Sequence, residues 1–187
     1  MKGIILRGLR EFSMSRLGRE EWASVREEVG LKEESFLASH SYPDATAYRI
    51  LGAIASRMSL ELDPVLRHFG HHWMHVTGPQ AYPQLFSLAR RDPVGFLRRL
   101  SSLHCAATRH LDEANAPHIS ITQEGSSHVR LRYASKRGLP YLAYGLLEGL
   151  WASVAIPARV EPPAPVDGQD GVWTFRIHVH GEGESCS

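Results

Sequence analysis

The chain has 187 residues, is 43% apolar and carries a formal net charge of +1. That composition suits one globular domain with a real core and excludes a strong field directed at nucleic acid or an anionic membrane. No apolar run approaches the roughly 20 residues needed to span a bilayer, and Arg7, Arg10 and Glu11 interrupt the start too early for a signal peptide. Two cysteines, Cys105 and Cys186, make no disulfide framework, so a reducing, cytoplasmic setting is expected. Eleven histidines are the compositional oddity and raise a metal question.

The first half reads helical. From Met1 to Leu17, Ile5, Leu6, Leu9, Phe12 and Leu17 fall close to helical spacing, and Gly18 breaks the pattern. A second short helix from Glu20 to Val29 is ended by Gly30. Ser41-Tyr42-Pro43-Asp44 forms a turn feeding a helix through about Met58. Asp63-Pro64 reads as an N-cap followed by proline at the first helical position; that helix should run to about Thr77, where Gly78-Pro79 stops it. Tyr82-Pro83 interrupts the next segment, which holds a short helix through Arg90. Asp92-Pro93 repeats the start signal and opens a helix to about Ala114, with Phe96, Leu97, Leu100, Leu103, His104, Ala107 and Leu111 on one stripe.

After Ala116-Pro117 the period changes to two. His118 to Gln123 alternates, Gly125-Ser126-Ser127 turns, and Val129 to Tyr133 alternates again, which is a hairpin signal. Pro140 starts a helix to about Ser153. The segment from Ile156 to Pro165 is proline-rich and suits only an edge strand. Val172 to Val179 alternates once more after a turn at 167–171, and residues 181–187 read as a frayed tail. The order predicts an α+β fold, with a helical N-terminal half and a four-stranded antiparallel sheet interrupted by a helix.

Two features carry chemistry. In the strand ending Tyr133-Ala134-Ser135-Lys136-Arg137, side chains alternate between faces. Val129, Leu131, Tyr133, Ser135 and Arg137 therefore share one side, and His128, Arg130, Arg132 and Lys136 share the other. The inward side passes from apolar groups to a phenol, a hydroxyl and a guanidinium. Such a set can hold a buried dianion beside a hydrophobic cavity, the guanidinium as a fork for carboxylates. Haem is one molecule of that description. His104 lies on the apolar stripe of the preceding helix. Taken alone it reads as a core histidine bonded to a carbonyl; in company with the strand motif it is a candidate iron ligand through one ring nitrogen.

With these residues the chain resembles the H-NOX (haem NO/oxygen-binding) domain, the bacterial relative of the soluble guanylate cyclase sensor domain. The resemblance spans roughly Met1 to His180. It rests on Met1-Lys2-Gly3-Ile4-Ile5, Phe69-Gly70-His71-His72-Trp73, Leu103-His104, Pro117, Tyr133-x-Ser135-x-Arg137 and Gly145-Leu146-Leu147-Glu148-Gly149. It implies one domain over 1–180, with a helical subregion over about 1–60, a haem-ligand and sheet subregion over about 61–180, and haem b between them. It implies that His104 is the proximal iron ligand and that Tyr133, Ser135 and Arg137 clamp the propionates. It further implies that Pro117 and Ile5 press on the porphyrin, and that Leu100, Leu142, Leu146 and Trp73 line the pocket. Where oxygen-binding members place a tyrosine after the clamp, this chain presents Leu142; where an asparagine supports that tyrosine, it presents Trp73. Both departures imply a sensor that binds NO and CO and excludes O2. The resemblance also implies signalling to a separate protein, such as a histidine kinase or a cyclic-dinucleotide enzyme. No Ser–His–Asp order, P-loop or Rossmann glycine pattern appears, so binding rather than enzymatic turnover is expected.

Other readings compete. A haem-free scaffold of the same fold would act by protein contacts alone. A zinc protein would use His68, His71, His72 and His75 on one helix, where positions 68, 72 and 75 share a face. A lesser metal candidate joins His178 and His180 to Cys186.

Overall fold

A computed structural model describes residues 1–32, 36–108, 117–125, 127–154 and 156–180, with their side chains except those of 101 and 104–108. The helices α1 (Gly3–Leu17), α2 (Arg19–Glu28) and α3 (Asp44–Met58) come first, followed by α4 (Leu62–His75), α5 (Thr77–Ala81), α6 (Pro83–Arg91) and α7 (Pro93–Thr108). The hairpin β1 (His118–Glu124) and β2 (His128–Ala134) leads into α8 (Pro140–Ala152), and β3 (Ala158–Val160), β4 (Ala164–Pro165) and β5 (Val172–Val179) complete the sheet. The expected α+β order holds. None of the helices among the described residues is long and apolar enough to cross a membrane.

The punctuation residues act largely as expected. Gly18 and Gly30 take positive φ at the ends of α1 and α2, Pro83 and Pro140 stand in the first turns of α6 and α8, and Asp92 Oδ1 accepts the Gly95 N–H at the start of α7. Gly78-Pro79 does not end the helical run. The chain bends at Val76 (φ −118°, ψ −73°) and restarts as α5. Pro79 then lies in the first turn of the new helix, where a missing N–H costs nothing. On α7, Phe96 and Leu97 are buried, Leu100 is half-buried and Leu103 lies 36% exposed at the stripe's margin. The predicted extension of this helix to Ala114 lies outside the described residues.

The sheet has the order β1-β2-β5-β3, all antiparallel, with β4 also paired to β5. It therefore has five strands rather than four. Pro162 and Pro163 offer no N–H to β5 and divide the predicted edge strand into β3 and β4. Central β5 buries Phe175 and Ile177 completely.

Two apolar clusters form. One joins α1, α2, α3 and the first half of α4, with Leu139; the other joins the end of α4, α6, α7, α8 and the sheet. Helix α4 thus contributes side chains to both clusters. Trp73 and Tyr141 pack against both clusters. Along this seam α4 and α8 meet backbone to backbone: a Cβ on Gly70 would stand 2.5 Å from the Leu142 carbonyl, and one on Gly145 1.9 Å from the Arg67 carbonyl. No other residue type fits at such an approach.

A charged tie joins the halves elsewhere. Asp44, at the start of α3, receives the Arg137 Nε at 2.6 Å and Nη2 at 3.3 Å, from the segment after β2. The Met1 ammonium, itself nearly buried, donates to the same carboxylate at 2.5 Å and to the Tyr42 carbonyl at 2.6 Å. Burial raises the Asp44 pKa, but the hydrogen bonds from Arg137 and Met1 outweigh it and hold the carboxyl below its ordinary 3.8. A lowered folded pKa gives stability that is present above the unfolded value and lost as pH falls through the folded one.

Three outcomes follow in thermal unfolding. Gly145→Ala should cost about 1–3 kcal/mol, lowering the melting temperature by about 2–4 °C per kcal/mol. Gly52→Ala, exposed on α3 with nothing within 4 Å of the added carbon, should instead gain about 0.5–1 kcal/mol. Asp44→Ala should cost about 1–2 kcal/mol at neutral pH, less than a fully buried pair because the carboxylate is partly solvated. Its deficit should shrink below pH 4; a deficit unchanged down to pH 2 would remove the ion pair from the account.

Candidate functional site

The alternation of β2 builds one wall. Val129, Leu131, Tyr133 and Ser135 are buried on the inner face, while His128, Arg130 and Lys136 are exposed on the other. Tyr133 is only 7% exposed; its ring lies near Trp173 and Phe175 of β5, with centroids 6.0 and 6.4 Å away. Burial raises the phenol's pKa, with hydrogen bonding to Ser135 and the Arg137 charge pulling the other way, so at neutral pH it is a donor.

Beyond Ala134 the chain leaves the ladder but stays ordered. The Ser135 N–H donates to the Gly171 carbonyl (2.9 Å), and the Gly138 N–H to the Ser135 carbonyl (3.3 Å). Ser135 Oγ accepts the Arg137 N–H at 3.2 Å. Gly138, at φ +59°, closes this turn. Tyr48 of α3 donates its hydroxyl to the Arg137 carbonyl at 3.2 Å, and burial followed by the Asp44 charge raises the Tyr48 pKa. Residue 137 is thus held at its guanidinium by Asp44 and at its backbone by Tyr48. The structure brings Tyr133, Ser135 and Arg137 together at one corner, where phenol, hydroxyl and guanidinium form a donor set suited to carboxylates.

The remaining expected residues divide between the two apolar clusters. Ile5 of α1 and Leu142 of α8 are half-buried against the helical cluster; Leu100 of α7 and Leu146 of α8 are half-buried against the sheet cluster. Pro117 is half-buried, one residue before His118, which pairs with Ala134 at the end of the β1–β2 ladder. Trp73 lies beside Gly8 and Gly78, whose added Cβ atoms would meet its ring at 2.9 and 2.7 Å, and 5.9 Å from the Phe86 ring. Its Nε1 is buried without a hydrogen-bond partner. His104 lies on α7, but its side chain, like that of Cys105, lies outside the described residues. Phenol, hydroxyl and guanidinium at one corner, with apolar clusters on either side of the α4–α8 seam, are the chemistry that a flat, hydrophobic dicarboxylate such as haem calls for.

Tyr144 is directed elsewhere. Its hydroxyl donates to the Val160 carbonyl at 3.4 Å, and the Arg67 guanidinium stacks 4.7 Å from its ring centre. The α4 histidines do not converge. His72 packs edge-on against Phe12, with its Nε2 buried and unpartnered, and His71 stacks on His75. Burial lowers the pKa of His68, His72 and His75, keeping them neutral. Among the described residues no group of three or more His, Cys, Asp or Glu is arranged to hold a metal ion. His178 pairs with Glu161 at 2.8 Å, and Cys186 lies outside the described residues.

Asp44, Met1 and Tyr48 went unseen in the sequence. Asp44 reads there as the last residue of a turn that feeds a helix, and nothing local couples it to a residue 93 positions away.

Comparison with known proteins agrees with the geometry. Solved structures of similar fold include an oxygen-binding H-NOX domain related to soluble guanylate cyclases, in its oxygen complex, at 20% identity and TM-score 0.86, over 97% of this chain and 96% of that one. They also include an H-NOX protein from S. oneidensis in the Fe(II)NO state, at 20% identity and TM-score 0.84, over 97% and 100%. A point mutant of the T. tengcongensis H-NOX matches at 20% identity and TM-score 0.85, over 97% and 98%. At such identity these likenesses speak for the fold. The sequence profile of the haem-NO-binding family matches residues 2–155, most of the chain. The chain therefore belongs to the haem-NO-binding (H-NOX) family, whose cofactor is haem.

Proposed function

We propose that this protein is a haem-based sensor of NO that also binds CO, excludes O2, and reports to a separate signalling protein such as a histidine kinase or a cyclic-dinucleotide enzyme. In this reading His104 is the iron ligand, and Tyr133, Ser135 and Arg137 hold the propionates, with Asp44 orienting the guanidinium. Ile5 and Pro117 press on the ring from the two halves. Haem supplies, when bound, a ferrous iron with one open coordination position.

The observation that supports gas selectivity is the apolar distal wall. Bound O2 takes on negative charge and is stabilised by a hydrogen-bond donor; NO, nearly neutral when bound, needs none. Leu142 and Leu146 offer no donor, and the Tyr144 hydroxyl is engaged by Val160 on the other side of α8. One observation favours a second, O2-binding reading: the unpartnered N–H of Trp73.

The absorption spectrum of the reduced, haem-loaded protein separates the two. The Soret band should be the same under nitrogen and air and should shift on adding NO. A stable complex in air, lost in Trp73→Phe, would establish the second reading instead. Leu142→Tyr should create an O2 complex where the natural chain forms none. His104→Gly should purify without haem, or retain it only with added imidazole; a normal five-coordinate ferrous spectrum in that variant would remove His104 from the role of ligand.

A further inference from the structure

Away from the clamp lies a cleft of about 940 Å³ between α4, α8 and the segment leading into β3. Its floor is apolar, made by Trp151, Val154, Ile156 and Pro157. Its rim carries the guanidinium groups of Arg16, Arg67 and Arg159, with the imidazoles of His68, His71 and His180 beside them. The single carboxylate of its lining, Glu148, is gripped by both arms of Arg67 at 2.6 and 2.7 Å. No carboxylate among the described residues pairs with Arg16 or Arg159. Arg16 stands 5.9 Å from the Phe12 ring centre. Positive charge is thus concentrated here on a chain whose total is only +1.

The cleft is also tied to the clamp through a rigid element. Helix α8 begins three residues after Arg137, places Leu142 and Leu146 in the seam, and ends with Glu148 and Trp151 in the cleft. Nine residues at 1.5 Å each set Leu142 and Trp151 about 14 Å apart along one axis. Across the seam, α4 and α8 approach backbone to backbone at Gly70 and Gly145, and close-packed elements tend to move as units.

We infer that this cleft is the docking site for an acidic segment of a partner protein, one that lays an apolar side chain on Trp151 and Ile156 and its carboxylates against Arg16 and Arg159. Charge complementarity selects such an occupant, and an apolar floor gives it an anchor that a small hydrophilic anion would not use. The identity of the cleft as the sensor's output surface rests on the gas-sensing reading; its occupancy by an acidic segment does not.

The test uses the haem-loaded chain and a fluorescein-labelled peptide of alternating glutamate and leucine, with binding followed by anisotropy. The peptide should bind and weaken markedly between 50 and 500 mM salt; the glutamine version should not bind. Arg16→Glu with Arg159→Glu should weaken binding about tenfold or more while haem content and melting temperature stay unchanged. Failure of the acidic peptide to bind at low salt, or indifference to the double substitution, would overturn the proposal. Displacement by inorganic triphosphate with equal binding of the leucine-free peptide would also overturn it, making the cleft a small-anion site. If the peptide binds with one affinity before and after NO, docking stands and the signalling reading falls; if NO shifts the spectrum but the peptide never binds, docking alone falls.

Discussion

The Asp44 carboxylate is the constraint on which the site's geometry depends. It accepts two cations from distant points of the chain, the Met1 ammonium and the Arg137 guanidinium. Both cations draw on the same negative charge, and together they keep the carboxyl ionised despite its partial burial. The start of α1, the start of α3 and the turn after β2 are thereby pinned to one another. Ile5 lies in the second position after the Gly3 start of α1, so its place relative to Ser135 and Arg137 is set by electrostatics as well as by packing. A partly solvated pair of this kind contributes modestly to stability. Its larger effect is geometric, fixing a guanidinium that would otherwise sample many rotamers.

The α4–α8 seam is the second constraint. Where backbones touch, displacement cannot be absorbed by side-chain rotamers, and close-packed elements move as units. Helix α8 carries Leu142 and Leu146 near one end and lines the cleft with Glu148 and Trp151 at the other. A shift of Leu142 is therefore a shift of Trp151. This mechanical continuity needs no chain of intermediary side chains.

Much of this was legible from sequence because the signals are local. Period-two alternation gave the faces of β2 down to Ser135, and proline and glycine placed most helix starts and ends. Three matters were not legible, each for a physical reason. Gly78-Pro79 reads as a stop, yet a proline in a first turn is as compatible with a new helix as with none. The division of the outer strand depends on how Pro162 and Pro163 face β5, which is a question of pairing. The cleft draws on residues 16, 67, 148, 159 and 180, and Asp44 on residues 1 and 137; only the fold assembles them.

The paired prolines that split β3 from β4 have an effect beyond topology. Two stubs of three and two residues, interrupted by a stretch without N–H donors, present no continuous ladder to a strand of another molecule. On that flank the sheet is therefore protected against runaway β-stacking into aggregates, by a covalent feature that persists whatever state the cofactor pocket adopts.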